Sequence, residues 1–112
     1  MFKRIFLLLF LSSFISLSSI SFAHAETVYV KYRGSISLDN FNCKNTISSF
    51  VNRICYQKKN DYLIVLLSST YYHYCKVPNN VFKSWINSSS KGRFYNSNIK
   101  GRFDCRLGGI PK

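Results

Sequence analysis

Four cysteines, Cys43, Cys55, Cys75 and Cys105, constrain this chain more than any other feature, because the segment before them directs it to an oxidising compartment. Met1 to Ala25 reads as a secretory signal peptide. Lys3 and Arg4 form its positive start, Ile5 to Ile20 is an apolar run diluted by serines, and Ala23-His24-Ala25 is a small-x-small cleavage site. The competing reading is an uncleaved anchor, since the run is long for a signal; the serines and the position of the triplet favour cleavage. No cysteine follows the cut, which argues against a lipid anchor. The expected destination is periplasmic or secreted, with no transmembrane anchor left after cleavage.

Of 112 residues, 25 go with the leader and 87 remain, Glu26 to Lys112. That is one domain, of a size whose hydrophobic core alone gives marginal stability. Two disulfides would each add about 2–4 kcal/mol by restricting the unfolded chain. A four-cysteine zinc site is the rival, but no pair has C-x₂-C spacing. The sequence thus predicts two disulfides, with no metal and no cofactor.

Thr70-Tyr71-Tyr72-His73-Tyr74-Cys75-Lys76-Val77-Pro78 is the central segment, a strand that runs into a helix. Alternation sets Tyr72 and Tyr74 on one face and His73 and Cys75 on the other. Pro78 ends the strand and suits a first helical turn. Ahead of it, Ile47 to Tyr56 and Tyr62 to Leu67 read as two strands joined by a Gln57–Asp61 hairpin loop, with Ser68-Ser69 as the next turn. Three adjacent antiparallel strands follow. The near-continuous run Leu63-Ile64-Val65-Leu66-Leu67 requires cover on both faces.

Asn79 to Ser89 carries Val81, Phe82, Trp85 and Ile86 as one apolar stripe, a helix that can lie on the sheet. Lys91-Gly92 supplies a last-turn cation and a glycine for a left-handed stop. Arg93 to Lys100 holds a short further helical turn, with Phe94 and Ile99 inward. Thr27 to Arg33 alternates as an N-terminal edge strand with Val28, Val30 and Tyr32 on one side, ended by Gly34. Ser35 to Thr46 reads as an irregular loop, and Gly101 to Arg106 as a C-terminal edge strand.

Cys55 and Cys75 sit late in the first and third strands of the meander, with a strand between them. At ~4.8 Å per strand they would be roughly 9.6 Å apart, beyond the about 7 Å that a disulfide spans. Cys43 and Cys105, from the two flanks, are therefore expected each to bond one of them, strapping the chain ends over the second sheet face. Which flank takes which strand stays open.

Sixteen Lys and Arg, two of them in the leader, against four acids leave a net charge of about +10 on the remainder. Such a surface attracts a membrane, an envelope polymer or nucleic acid, unless it is simply a solvated basic exterior. Lys91-Gly92-Arg93-Phe94 recurs as Lys100-Gly101-Arg102-Phe103, and Arg106 follows. These cations can neutralise anions, and a ring such as Phe94 can stack on a base or sugar. Equally, Gly92 caps the helix, Phe94 and Phe103 pack in the core, and the cations are solvated. Tyr71, Tyr72 and Tyr74 could form a stacking platform on a sheet, or Tyr72 and Tyr74 could lie beneath the helix against Trp85.

Enzymatic constellations are scarce. After the leader the chain has one histidine, His73, and acids only at Glu26, Asp39, Asp61 and Asp104. No nucleophile-elbow motif accompanies His73, no close pair of carboxylates is evident, and bridged cysteines leave no thiol nucleophile. The expectation is a non-enzyme. Asn87-Ser88-Ser89 matches a glycosylation sequon without meaning in a chain of bacterial character.

Ser48-Ser49, Cys55-Tyr56, the Leu63–Leu67 strand, Tyr72-His73-Tyr74, Val77-Pro78, the helix to Trp85, Ser90-Lys91-Gly92, Phe94-Tyr95-Asn96 and Ile99 together resemble the KTSC domain. That family is named for the C-terminus of some lysyl-tRNA synthetases. The resemblance spans about Ser48 to Phe103 and implies a β-β-β-α unit, with RNA binding suggested by the synthetase context. The chain departs from the family pattern in its export signal, its four cysteines and its extra N-terminal strand and loop. Export weakens the case for tRNA.

The expected organisation is a signal peptide (1–25), an N-terminal strand and loop (26–47), a KTSC-like domain (48–106) and a tail (107–112). The fold class is α+β: an antiparallel meander of three core strands with N- and C-terminal edge strands, packed on one helix and stapled by disulfides. Tyr72, Tyr74, Val77, Pro78 and Trp85 form its core motif. The expected role is a binding module for an anionic partner through Lys91, Arg93, Lys100, Arg102 and Arg106, with Tyr71 and Phe94 as stacking rings. The alternatives are an RNA-binding domain and a structural or protein-partner role. Oligomeric state is not legible.

Overall fold

The computed structural model describes residues 25–112, together with Ser16 alone before them; the leader peptide inferred from the sequence lies outside the described residues. Six strands form one mixed sheet: β1 (Thr27–Val30), β2 (Gly34–Ser37), β3 (Asn42–Asn45), β4 (Val51–Gln57), β5 (Tyr62–Leu67) and β6 (Thr70–Tyr74). Their order is β2-β1-β6-β5-β4-β3. The meander β4-β5-β6 is antiparallel, as its sequence predicts.

The flanks differ from expectation. The alternation expected to Arg33 stops at Val30, the chain turns through Lys31-Tyr32-Arg33, and Gly34 opens β2 instead of ending β1. Gly34 has φ +97°, a conformation that glycine enters without steric cost. β1 is thus no edge strand: it pairs with β2 on one side and, parallel, with β6 at Val30↔Tyr71 on the other. The supposed loop Ser35–Thr46 contains both real edge strands, β2 and β3. The segment Gly101–Arg106 is not a strand. Its one ladder-like bond is Cys75 N–H donating to Phe103 O at 2.9 Å, after which Cys105–Leu107 forms a 3-10 turn capped by Asp104.

β2 and β3 lie at opposite edges, yet only Leu38–Phe41 separates them. A flat six-stranded sheet would hold its edges ~24 Å apart, whereas five residue steps reach roughly 17 Å. The sheet must curl. It does so around a core of Val30, Leu38, Cys55, Tyr62, Ile64, Cys75 and Cys105, with Phe41 packed edge-on to Tyr62.

The outer face carries α1 (Asn79–Ile86) and a second core of Val51, Ile54, Tyr56, Leu63, Val65, Val77, Phe82, Trp85, Tyr95 and Ile99. Val51 and Ile54 both face it because a bulge between Val51 and Arg53 shifts the register by one residue. The two faces of β5 thus feed two cores, which explains its unbroken apolar run.

Gly92 is not a left-handed helix stop. It sits inside the short helix α2 (Lys91–Phe94), which continues as a π turn over Tyr95–Ile99. A Cβ at Gly92 would lie 2.8 Å from Cε1 of Phe50, so the glycine is needed because an aromatic ring leans on its Cα. Overpacking of this kind costs about 1–3 kcal/mol, against about 1 kcal/mol of helix propensity gained by alanine. Gly92→Ala is expected to lower stability by about 1 kcal/mol, read as a shift in the urea midpoint, and Phe50→Leu in that background should recover part of the loss.

Three buried or half-buried tyrosine side chains tie the layers together through their hydroxyls. Tyr56 donates to Val77 O at 2.7 Å, Tyr62 Oη meets His73 Nδ1 at 2.8 Å, and Tyr74 and Tyr95 share a bond of 2.9 Å. Burial raises the pKa of Tyr56, Tyr62 and Tyr74 above the ordinary 10.0, helped by Asp61 at Tyr56 and by Tyr95 at Tyr74. The folded state then holds protons that the unfolded state releases. Stability is therefore full below pH 10 and falls as pH rises beyond it. The expected denaturation curve has an alkaline limb, and replacing Tyr74 with phenylalanine should make that limb shallower.

Candidate functional site

The cysteines resolve as Cys43–Cys55 and Cys75–Cys105. Cys43 and Cys55 are register partners on neighbouring strands, with Cα atoms 4.0 Å apart. Cys75, at the end of β6, reaches Cys105 in the C-terminal strap, at 4.9 Å. Each flank thus bonds one meander strand, as the strand spacing requires, but only the C-terminal flank is a strap: Cys43 lies on β3, paired beside β4 within the sheet, so its bond crosses no sheet face.

Where that strap crosses β6 it leaves an open cleft of about 790 Å³, lined by Tyr32, Tyr72, His73, Tyr74, Gly101, Arg102, Asp104, Cys105, Arg106 and Ile110. Its size falls in the range of small-ligand sites. Tyr32 comes from the β1–β2 turn, the middle tyrosines from β6, and the rest from the strap. Arg33 donates to Pro111 O at 3.1 Å and so ties the turn to the chain end. Lys31 Nζ stands 5.3 Å from the Tyr32 ring centroid and 5.8 Å from that of Tyr72, within cation–π range of both. Tyr32 is 82 % exposed and has φ +71°, a conformation costly for a bulky side chain.

Asp104 accepts from Arg106 through its backbone N–H at 2.8 Å and its guanidinium at 2.6–3.1 Å. These bonds hold the Asp104 carboxyl down at about 2. His73 is pushed below its ordinary pKa, first by burial and then by the charge of Arg33, while Asp104 opposes the shift. The imidazole is thereby favoured in its neutral form.

The basic repeat is pulled apart. Arg102 and Arg106 reach the cleft, but Arg106 is already engaged by Asp104. Lys91 donates its ammonium to Ser88 O and accepts from Trp85 Nε1 at its carbonyl, so it closes the turn after α1. Arg93 is exposed beside Ser88–Ser90, and Phe94 stacks on Trp85 at 5.8 Å. Lys100 is exposed and lines neither cleft. Tyr71 belongs to the inner core and accepts from Arg53, whose guanidinium also pairs with Glu26 at 2.6 Å. Phe94 and Tyr71 are thus both half-buried, packed against the helix-side core and the inner core respectively, and neither lines the cleft. Tyr74 packs in the helix-side core as expected, whereas Tyr72 is a cleft wall and does not lie under Trp85.

Lys31, Tyr32 and Arg33 were expected to continue the first strand and were not among the expected site residues. Their signal was the Ser35-Ile36-Ser37-Leu38 alternation after Gly34, which marks a hairpin whose turn they form. A smaller cleft of about 430 Å³ between β3 and α1 gathers Lys44, Lys58 and Lys83 with several asparagines. Among the described residues no helix is long and apolar enough to cross a membrane.

The KTSC domain model matches residues 47–103, half of the chain. The structure is similar to the crystal structure of a KTSC domain protein from Yersinia pestis, with a TM-score of 0.54 and 29% sequence identity, over 57% of this chain and 92% of that one. No curated protein matches the chain. Cys55 and Cys75 lie inside the matched residues; Cys43 and Cys105 lie outside them. The cleft likewise joins matched residues, Tyr72 to Tyr74 and Arg102, to flanking ones, Tyr32, Arg106 and Ile110.

Proposed function

This chain belongs to the KTSC domain family, and from that premise we propose that it is an exported, non-enzymatic binding module that engages an anionic partner at the cleft between the β1–β2 turn, β6 and the C-terminal strap. The observation that carries this reading is the meeting of Arg102 and Lys31 with the exposed ring of Tyr32 and the half-buried ring of Tyr72. Cations give attraction without sequence preference, and exposed rings give a flat apolar surface for a base or sugar. A tyrosine held exposed with positive φ fits a binding edge better than a packing role. Disulfides suit an oxidising compartment, and the leader-like N-terminus suits export. Against catalysis stand the single histidine after the leader, set against Tyr62, and an Asp104 carboxylate occupied by Arg106.

Binding to a single-stranded RNA oligonucleotide and to phosphatidylglycerol vesicles, each across a salt series, tests the reading. Arg102→Gln is expected to weaken binding and to lower the log–log salt slope for RNA by about 0.7, the release from one phosphate contact. Arg93→Gln should leave both unchanged. Equal losses from Arg102→Gln, Arg93→Gln and Lys83→Gln would mean a diffuse basic exterior and end the assignment to this cleft. A further loss of about 1–3 kcal/mol on Tyr32→Ser, for RNA alone, identifies the partner as nucleic acid. Absence of binding to either probe at physiological salt rejects the anion site.

A further inference from the structure

The cleft floor holds a second chemistry that does not depend on what its cations bind. A ring nitrogen of His73 and the sulfurs of Cys75 and Cys105 all lie within 4.8 Å of one another. In sequence these residues do not announce a metal site, since Cys105 lies 30 positions from Cys75. The fold brings them together because His73 and Cys75 share one face of β6 and the strap crosses that face.

We propose that reduction of the Cys75–Cys105 disulfide converts this cluster into a site for a thiophilic divalent cation of the zinc class, bound by His73, Cys75 and Cys105. The disulfide and the metal are alternative clasps for the same strap. One molecule of a dithiol reductant breaks the Sγ–Sγ bond by exchange. Two electrons and two protons pass to Cys75 and Cys105, and the reductant leaves as its own disulfide. Metal binding then expels those two protons, because the thiolate is the ligand.

Zinc takes thiolates at about 2.3 Å and imidazole at about 2.0–2.1 Å. The three donor atoms, all within 4.8 Å of one another, need shifts on the order of 1 Å to reach those bond lengths. Tyr62 holds the ring through Nδ1 at 2.8 Å, the outer hydrogen bond that commonly orients a ligating histidine, and Nε2 has no partner among the described residues. Two thiolates and a divalent cation sum to no net charge, so the site adds no cation to a cleft already rimmed by Arg102 and Arg106. Three protein ligands leave one of the four tetrahedral positions for water or a further ligand.

The Cys43–Cys55 bond has no such companion: no histidine or acid joins it in a cluster among the described residues. The two disulfides therefore predict opposite behaviour on reduction. The purified chain is reduced with dithiothreitol, freed of it under argon and titrated with Co²⁺ as a spectroscopic stand-in for zinc. The expected result is one equivalent bound with thiolate-to-cobalt charge-transfer absorption, absent before reduction, and at least about a tenfold weaker affinity for His73→Asn. Alkylation of the reduced chain with and without Zn²⁺, read by mass spectrometry, provides a test that needs no variant. Zinc should slow modification at Cys75 and Cys105 and leave Cys43 and Cys55 unprotected. Absence of the charge-transfer band, unchanged affinity in His73→Asn, or protection of all four cysteines alike would overturn the proposal.

Discussion

Trp85→Ala is expected to remove about 3–5 kcal/mol of folding stability, the usual cost of emptying a fully buried aromatic site. Trp85 is the only tryptophan in the chain and is completely buried. Its ring stacks on Phe94 at 5.8 Å and on Tyr95 at 6.1 Å, and its Nε1–H donates to Lys91 O at 3.0 Å. It therefore pins α1, α2 and the following π turn to one another and to the sheet. A domain of this size has only on the order of 5–15 kcal/mol in hand, so the variant should lose much of its cooperativity at moderate urea. Far-ultraviolet circular dichroism is the measurement, since the variant has no tryptophan to report by fluorescence. Trp85→Phe keeps an aromatic in place but leaves Lys91 O without its donor, and should fall between the two. A loss below about 1 kcal/mol for Trp85→Ala would mean that the helical layer is held by something other than this stack.

The same residue shows which parts of the fold a reader of the sequence can recover. Strong local period combined with bulky apolar residues was enough for α1, for the meander and for the two faces of β6. Strand spacing then restricted the cysteine pairing without any knowledge of the flanks. β2 and β3 escaped notice because Gly-Ser-Ile-Ser and Asn-Cys-Lys-Asn lack β-branched density; they are strands through edge pairing and through Leu38, Phe41 and Cys43 turning inward, a tertiary effect. Gly92 was misread for the same reason. A glycine after a helix is locally a cap, and only the ring of Phe50, more than forty positions away, makes it a packing requirement.

The candidate site was less legible than the fold. Its cations were sought in a repeated tetrapeptide, yet the repeat units land on different surfaces because one lies in α2 and the other in the strap. What assembles the cleft is the parallel contact of β1 with β6, which brings the Lys31–Arg33 turn beside Tyr72. A parallel pair between strands forty residues apart leaves no mark in local sequence. Arg106 was correctly placed at a surface but is not free, because Asp104, two positions away, folds back onto it.

Removing the Cys75–Cys105 disulfide as a double alanine variant should destabilise the protein more than removing Cys43–Cys55. Their sequence separations are 30 and 12, for which loop closure gives roughly 3.6 and roughly 2.8 kcal/mol. Structure widens that gap. Cys43 and Cys55 belong to paired strands whose register, Asn42↔Tyr56 through Asn45↔Arg53, persists without the bond. Cys105 belongs to no strand. Apart from the disulfide, the strap is held by Cys75 N–H to Phe103 O, by Arg33 to Pro111 O, and by a close passage in which Gly109, at φ +94°, leaves no room for a side chain against Lys76 and Cys75. Urea denaturation without reductant should rank the strap variant lower, and limited proteolysis should cut it first between Arg106 and Lys112. Anion binding at the cleft should fall with it, since Arg102 loses its fixed position opposite Tyr32, while the Cys43→Ala/Cys55→Ala variant should keep that binding. The reverse ranking, or a strap that resists protease without its disulfide, would show that the C-terminal segment is held by packing alone.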